Sequence, residues 1–151
     1  MNKGIEKQKQ TRKTENEEKK EYLLSYKKYK QQAKRLEEQL QEVRIGQMFS
    51  KHMLSDMPRA RNKKDISDYI VRSEELSDEI LKARKHAIER FSEVQRQIEL
   101  LENENEKTVL TLRYLRDYNW EKICEWIMYS WKQVHRIHIK ALENFELKKE
   151  T

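Results

Sequence analysis

NWEKICEWIMYSWKQVHRIHIKA, residues Asn119 to Ala141, reads as two short helices with a break between them. The first opens at Asn119-Trp120, where the asparagine side chain can accept from the first free amides. Its apolar residues Trp120, Ile123, Cys124 and Ile127 fall on one face. The break lies at Met128-Tyr129-Ser130. Ser130 can cap the second helix, whose apolar face is Val134, Ile137, Ala141, Leu142 and Phe145. Lys132, Gln133, His135, Arg136 and Lys140 remain on its outside, the layout of a helix-turn-helix.

Working outward, Val109, Leu110, Leu112, Tyr114 and Leu115 mark a third short helix, which leads through a turn at Asp117-Tyr118-Asn119. The polar run of residues 102–105 weakens helix before it. Residues 103–151 are therefore expected to form a three-helix domain with a small core of its own.

The upstream chain has a different rhythm. Tyr22, Tyr26, Tyr29, Ala33, Leu36, Leu40 and Val43 alternate steps of four and three, the seam of a coiled coil. A TENE capping box at Thr14 opens this helix, and it frays or bends near Gly46. Ile66, Ile70, Ser73, Leu76, Ile80, Ala83, Ala87, Phe91, Val94, Ile98 and Leu101 mark a second long helix from Asp65 at a mean step near 3.5. SDMPRARNKK, residues 55–64, is the linker, because Pro58 disfavours helix at Met57 and lacks an amide proton. Its Arg59, Arg61, Lys63 and Lys64 either grip phosphate or form a solvated turn. Residues 1–13 carry five basic side chains with almost no apolar partner and are expected to be a flexible basic tail or a frayed helix.

The fold expected is all-α. A long antiparallel helical hairpin, a coiled coil over residues 14–102, precedes the three-helix helix-turn-helix domain. A hairpin leaves its seams half covered, so a second copy of the chain, making a dimer, is expected to complete a bundle.

Composition narrows the function. Charged residues are 40% of the 151 and hydrophobic ones 36%, with two glycines and one proline. That describes long helices and little thick core. The net charge of +6 is uneven: residues 1–64 carry +9, residues 65–102 carry −4 and residues 103–151 carry +1. Basic excess attracts phosphates or acidic lipid, although in helices this charged most of it solvates an outer face. No apolar run reaches the roughly 18 residues of a membrane span, and MNKGIEKQKQ lacks the apolar segment of a secretory signal, so a cytoplasmic place is expected. Glycines only at 4 and 46 exclude a glycine-rich phosphate loop. Cys124 reads as a small core residue rather than a reactive thiol. His135 and His138 stand three apart, yet no carboxylate or second cysteine completes a metal site. No enzyme, cofactor or metal is expected.

The segment from about Thr108 to Phe145 resembles region 4 of bacterial sigma factors through Val109, Leu112-Arg113-Tyr114, Trp120-Glu121, Ile123, Ser130, Val134 and Ala141-Leu142. W-E-x-I, Y-S-x-x-x-V-H-R-x-H and A-L-E, with the charged helices upstream, more closely resemble small ArpU-like regulators of phages and mobile elements. That resemblance implies transcriptional regulation through double-stranded DNA and contact with RNA polymerase. The chain departs from it at Met128, where most such motifs place glycine, and at Cys124, where alanine is usual. It also lacks the sigma domain that reads the other promoter element.

In that reading the helix from Trp131 enters the major groove. Lys132 and Arg136 donate to guanine O6 and N7, and Gln133 pairs with adenine. Ser130, His135 and Lys140, with Lys122 from the preceding helix, bond backbone phosphates. Trp131 either packs over the domain or touches a thymine methyl, with packing favoured. Two rival readings stand: an interaction protein that binds RNA polymerase or another protein without reading DNA, and a small DNA-packaging subunit.

Overall fold

The computed structural model describes residues 2–53 and 59–148, with side chains described for 4–49 and 66–148. It is all-helical. Helix α1 spans Asn2–Met53, α2 Arg59–Glu99, α3 Glu104–Leu110, α4 Trp120–Ile127 and α5 Trp131–Asn144, with a π-helical turn at Thr111–Leu115 between α3 and α4. No strand occurs among the described residues. The chain divides into two compact units, residues 26–88 and residues 1–25 with 89–151.

Several boundaries differ from those the sequence suggested. Residues 2–13 are helical and continuous with α1. Lys, Gln, Glu and Arg are good helix formers, and the Thr11 hydroxyl donates to the Lys7 carbonyl at 2.8 Å. Thr14 does the same to Gln10 at 2.8 Å, so it lies inside the helix and caps nothing. Helix α2 starts at Arg59, six residues before Asp65, which leaves of the expected linker only residues 55–58, outside the described residues. Gly46 does not interrupt α1. A Cβ there would lie 3.3 Å from the Tyr69 ring, so glycine admits that ring against the helix backbone.

In the 26–88 unit the partners of α1 run backwards along α2. Gly46 faces Tyr69, Leu40 packs with Leu76 and Ile80, Glu37 accepts from Arg84 at 2.9 Å, and Tyr29 lies 5.5 Å from His86. Leu36 and Val43 flank the core half-buried. Ile70, placed in the seam by its spacing, is instead exposed.

The other unit has a thicker core. Leu23, Val94, Ile98 and Leu101 bury together with Leu110, Tyr114, Ala141, Leu142 and Phe145. That core crosses the boundary expected at residue 103. Three short helices offer too little apolar surface to close by themselves, and the ends of the long helices cover what remains. Polar contacts fix the same packing: the Lys19 ammonium donates to the last-turn carbonyls of Leu142 at 2.7 Å and Glu143 at 3.2 Å. The buried Glu106 carboxylate accepts from the Asn144 amide at 3.0 and 3.2 Å.

Candidate nucleic-acid interface

The candidate site is built on a turn. Asn103 caps α3, its side chain accepting from the amides of Asn105 and Glu106, so the polar run marks a helix start as well as a helix end. The π-helical turn closes with the Tyr118 amide donating to the Leu112 carbonyl at 2.9 Å. Asp117 there takes φ 62°. Asn119 then caps α4, accepting from the Lys122 amide at 2.8 Å.

Ile123 of α4 is fully buried against Val109, Leu112 and Val134, with Trp120, Cys124, Ile127 and Ile137 half-buried around it. This shared core holds α4 and α5 at a fixed angle. Between them Met128 ends α4 in the left-handed region, φ 58° and ψ 36°. The turn thus keeps the backbone that glycine usually supplies, although a side chain in this region costs about 1–2 kcal/mol. Met128 is 88% exposed, so its side chain meets no obstacle.

Ser130 and Gln133 form a reciprocal cap on α5. The Ser130 hydroxyl accepts from the Gln133 amide at 3.4 Å, and the Gln133 side-chain oxygen accepts from the Ser130 amide at 3.0 Å and hydroxyl at 2.9 Å. Gln133, expected at a base, is therefore held at the helix start by its oxygen. Lys132, Arg136 and Lys140 are exposed on α5. At four-residue spacing they line one face over about 12 Å. Lys122 is exposed on α4, its ammonium 3.9 Å from the Tyr118 ring centre.

His135, expected at a phosphate, turns inward. Its ring lies 4.6 Å from Trp120 and 4.5 Å from Trp131, and its Nε2 is buried without a hydrogen-bond partner. Trp131 also meets Trp120 edge-on at 6.5 Å and stays 54% exposed, so it packs and faces solvent at once. One turn on, His138 is buried and shares a 2.9 Å hydrogen bond with the Tyr114 hydroxyl. Burial, then the nearby charges of Lys20, His135 and Arg113, pushes His138 down to about 4. Burial likewise raises Tyr114 to about 12. His138 is thus a neutral core residue at neutral pH. Among the described residues no cluster of three or more His, Cys, Asp or Glu side chains could hold a metal ion, and no helix is long and apolar enough to cross a membrane.

Sequence reasoning missed two features. Arg113 lies over the Trp120 ring at 4.6 Å and donates to the Tyr118 carbonyl at 3.1 Å, tying the π-helical turn to α4. Trp126, Met128 and Tyr129 are exposed beside Trp131 at the α4–α5 turn. Trp126 carried a signal, since it falls off the apolar face of its helix.

Residues 47–146 match the family model described as protein of unknown function, DUF1492. No curated protein and no solved structure matches the chain.

Proposed function

We propose, from the premise that the chain belongs to the DUF1492 family, that it is a sequence-specific DNA-binding transcriptional regulator of phage or mobile-element origin. In this reading α4 and α5 are a helix-turn-helix, α1 and α2 a helical hairpin through which two copies pair, and α5 enters the major groove. The observation that supports it best is the exposed row Lys132, Arg136 and Lys140 on a helix whose opposite face, Val134, His138 and Ala141, is buried.

Lys132 and Arg136 read bases, each able to donate to guanine O6 and N7. Gln133, its oxygen engaged in the cap, keeps its amide protons for a base acceptor. Lys122 and Lys140 bond phosphates and set register, while Ser130, its amide and hydroxyl both given to Gln133, serves the cap. His135 acts from behind, bracing Trp120 and Trp131. The test is titration of the full chain against DNA fragments from around its own gene, at several salt concentrations, with unrelated competitor. Tight binding to one fragment that resists competition and weakens with salt is expected. Arg136→Ala should cost about 1–3 kcal/mol on that fragment. Equal, weak binding to all fragments sinks the reading.

A second reading has its own support. The exposed Trp126, Met128, Tyr129 and Trp131 suit a protein partner, RNA polymerase among them. Retention of this chain by purified polymerase, lost in Trp126→Ala, separates it from DNA reading.

A further inference from the structure

The 26–88 unit leaves apolar side chains outside its core. On α2, Ile70 is 46% exposed, Leu81 64% and Ile88 67%. At 100° per residue these three fall within about 20° of one another, roughly a third of a turn round the helix from the buried Leu76, Ile80 and Ala83. They form one stripe about 27 Å long, separate from the face that packs on α1.

The stripe has a further regularity. Ile70, Glu74, Ser77, Leu81, Arg84 and Ile88 alternate steps of four and three, a heptad seam on the solvent side. Their order is symmetric about Glu79. Ile70 stands nine residues before it and Ile88 nine after, Glu74 five before and Arg84 five after, Ser77 two before and Leu81 two after. Two such stripes laid antiparallel about a two-fold axis at Glu79 meet in matched layers. Ile70 meets Ile88 of the second copy, Ser77 meets Leu81, and Glu74 meets Arg84. Each layer occurs twice, as a two-fold contact requires.

We infer that this face of α2 is where a second copy of the chain docks, antiparallel, with the axis at Glu79. Ile70–Ile88 layers close the two ends, Leu81 packs over the small Ser77 at the centre, and opposite charges fill the layers between them. Parallel pairing would instead set Glu74 against Glu74 and Arg84 against Arg84. The charges thus select the orientation. Arg84 is exposed where it also reaches Glu37, so one guanidinium can serve both carboxylates. At the rim Asp78 meets its own copy, a repulsion that water and salt screen. The inference rests on the proposed pairing of two copies and is independent of DNA reading.

The experiment measures the mass of the full chain by sedimentation across a concentration series, with helical content followed by circular dichroism. The wild type should be a dimer. Leu81→Glu places two charges at the centre of the seam and should weaken association on the order of 100-fold with helicity unchanged, because Leu81 is exposed within one chain. Glu74→Arg alone and Arg84→Glu alone should each remain monomeric, while an equal mixture of the two should dimerise, since only the mixed pair sets opposite charges in both layers. A monomeric wild type, or a dimer indifferent to Leu81→Glu, overturns the inference. DNA binding read on the same samples keeps the two proposals apart: a charge-paired dimer that binds no fragment upholds this interface and counts against the regulator.

Discussion

Both units contain part of the two long helices, and they differ in how much they bury. In the 26–88 unit the core is one narrow seam, and among the described residues only Leu76 there is fully enclosed. In the other unit Leu23, Val94, Ile98, Val109, Leu110, Ile123, Val134, Leu142 and Phe145 are all enclosed. Two packed helices have one shared face, whereas the several helical segments of the other unit enclose a residue on every side. The first unit leaves Ile70, Leu81 and Ile88 exposed, and the second encloses the apolar face of α5.

That contrast is most easily broken by truncation. Phe145 is 1% exposed and packs with Tyr22 at 6.0 Å between ring centres. Phe145→Ala should cost about 3–5 kcal/mol in urea unfolding, while Leu81→Ala, at a position 64% exposed, should stay within about 0.5 kcal/mol at concentrations where the chain is monomeric. Similar losses from both would mean that the two units do not differ in enclosure.

Acid sharpens the contrast, because the enclosed unit holds a buried titratable ring. His138 is held down to about 4 when folded and returns to about 6.5 when unfolded. Above 6.5 both states are neutral and its contribution is constant. Between 6.5 and 4 the unfolded chain takes the proton first, so stability falls, and below 4 the loss levels off. The fall should be on the order of 3 kcal/mol, read as the difference in urea midpoint between wild type and His138→Gln across that range. Parallel profiles for the two proteins would show that the Tyr114–His138 pair does not govern acid stability.

How much of this the sequence carried depended on the kind of signal. Repeats were legible: Leu40, Leu76 and Ile80 are buried as their spacing required. Caps were legible too, at Asn119 and Ser130, because one side-chain oxygen beside a free amide is a local event. Long-range closure was not. Nothing in residues 103–151 announces that Leu23 and Val94 finish their core, and nothing at Gly46 names Tyr69 as its neighbour. On α5, spacing exposed Lys132, Arg136 and Lys140 correctly but put His135 outside with them. A histidine at the edge of a helical face goes to whichever neighbour offers a surface, and here two indoles do.

The turn between α4 and α5 offers the smallest effect and the most local one. Met128 holds a left-handed backbone with a side chain that touches almost nothing, so it keeps the strain of that region without the packing that usually offsets it. Met128→Gly relieves the strain but loosens the unfolded chain, which takes back part of the gain. The net expectation is a stabilisation of about 0.5 kcal/mol, visible as a small rise in urea midpoint. Met128→Val should move the other way, because a β-branched residue fits this backbone worst. Should glycine destabilise instead, the Met128 side chain must lie against the protein in solution, and the exposed aromatic surface assigned to a partner would be partly covered by the chain itself.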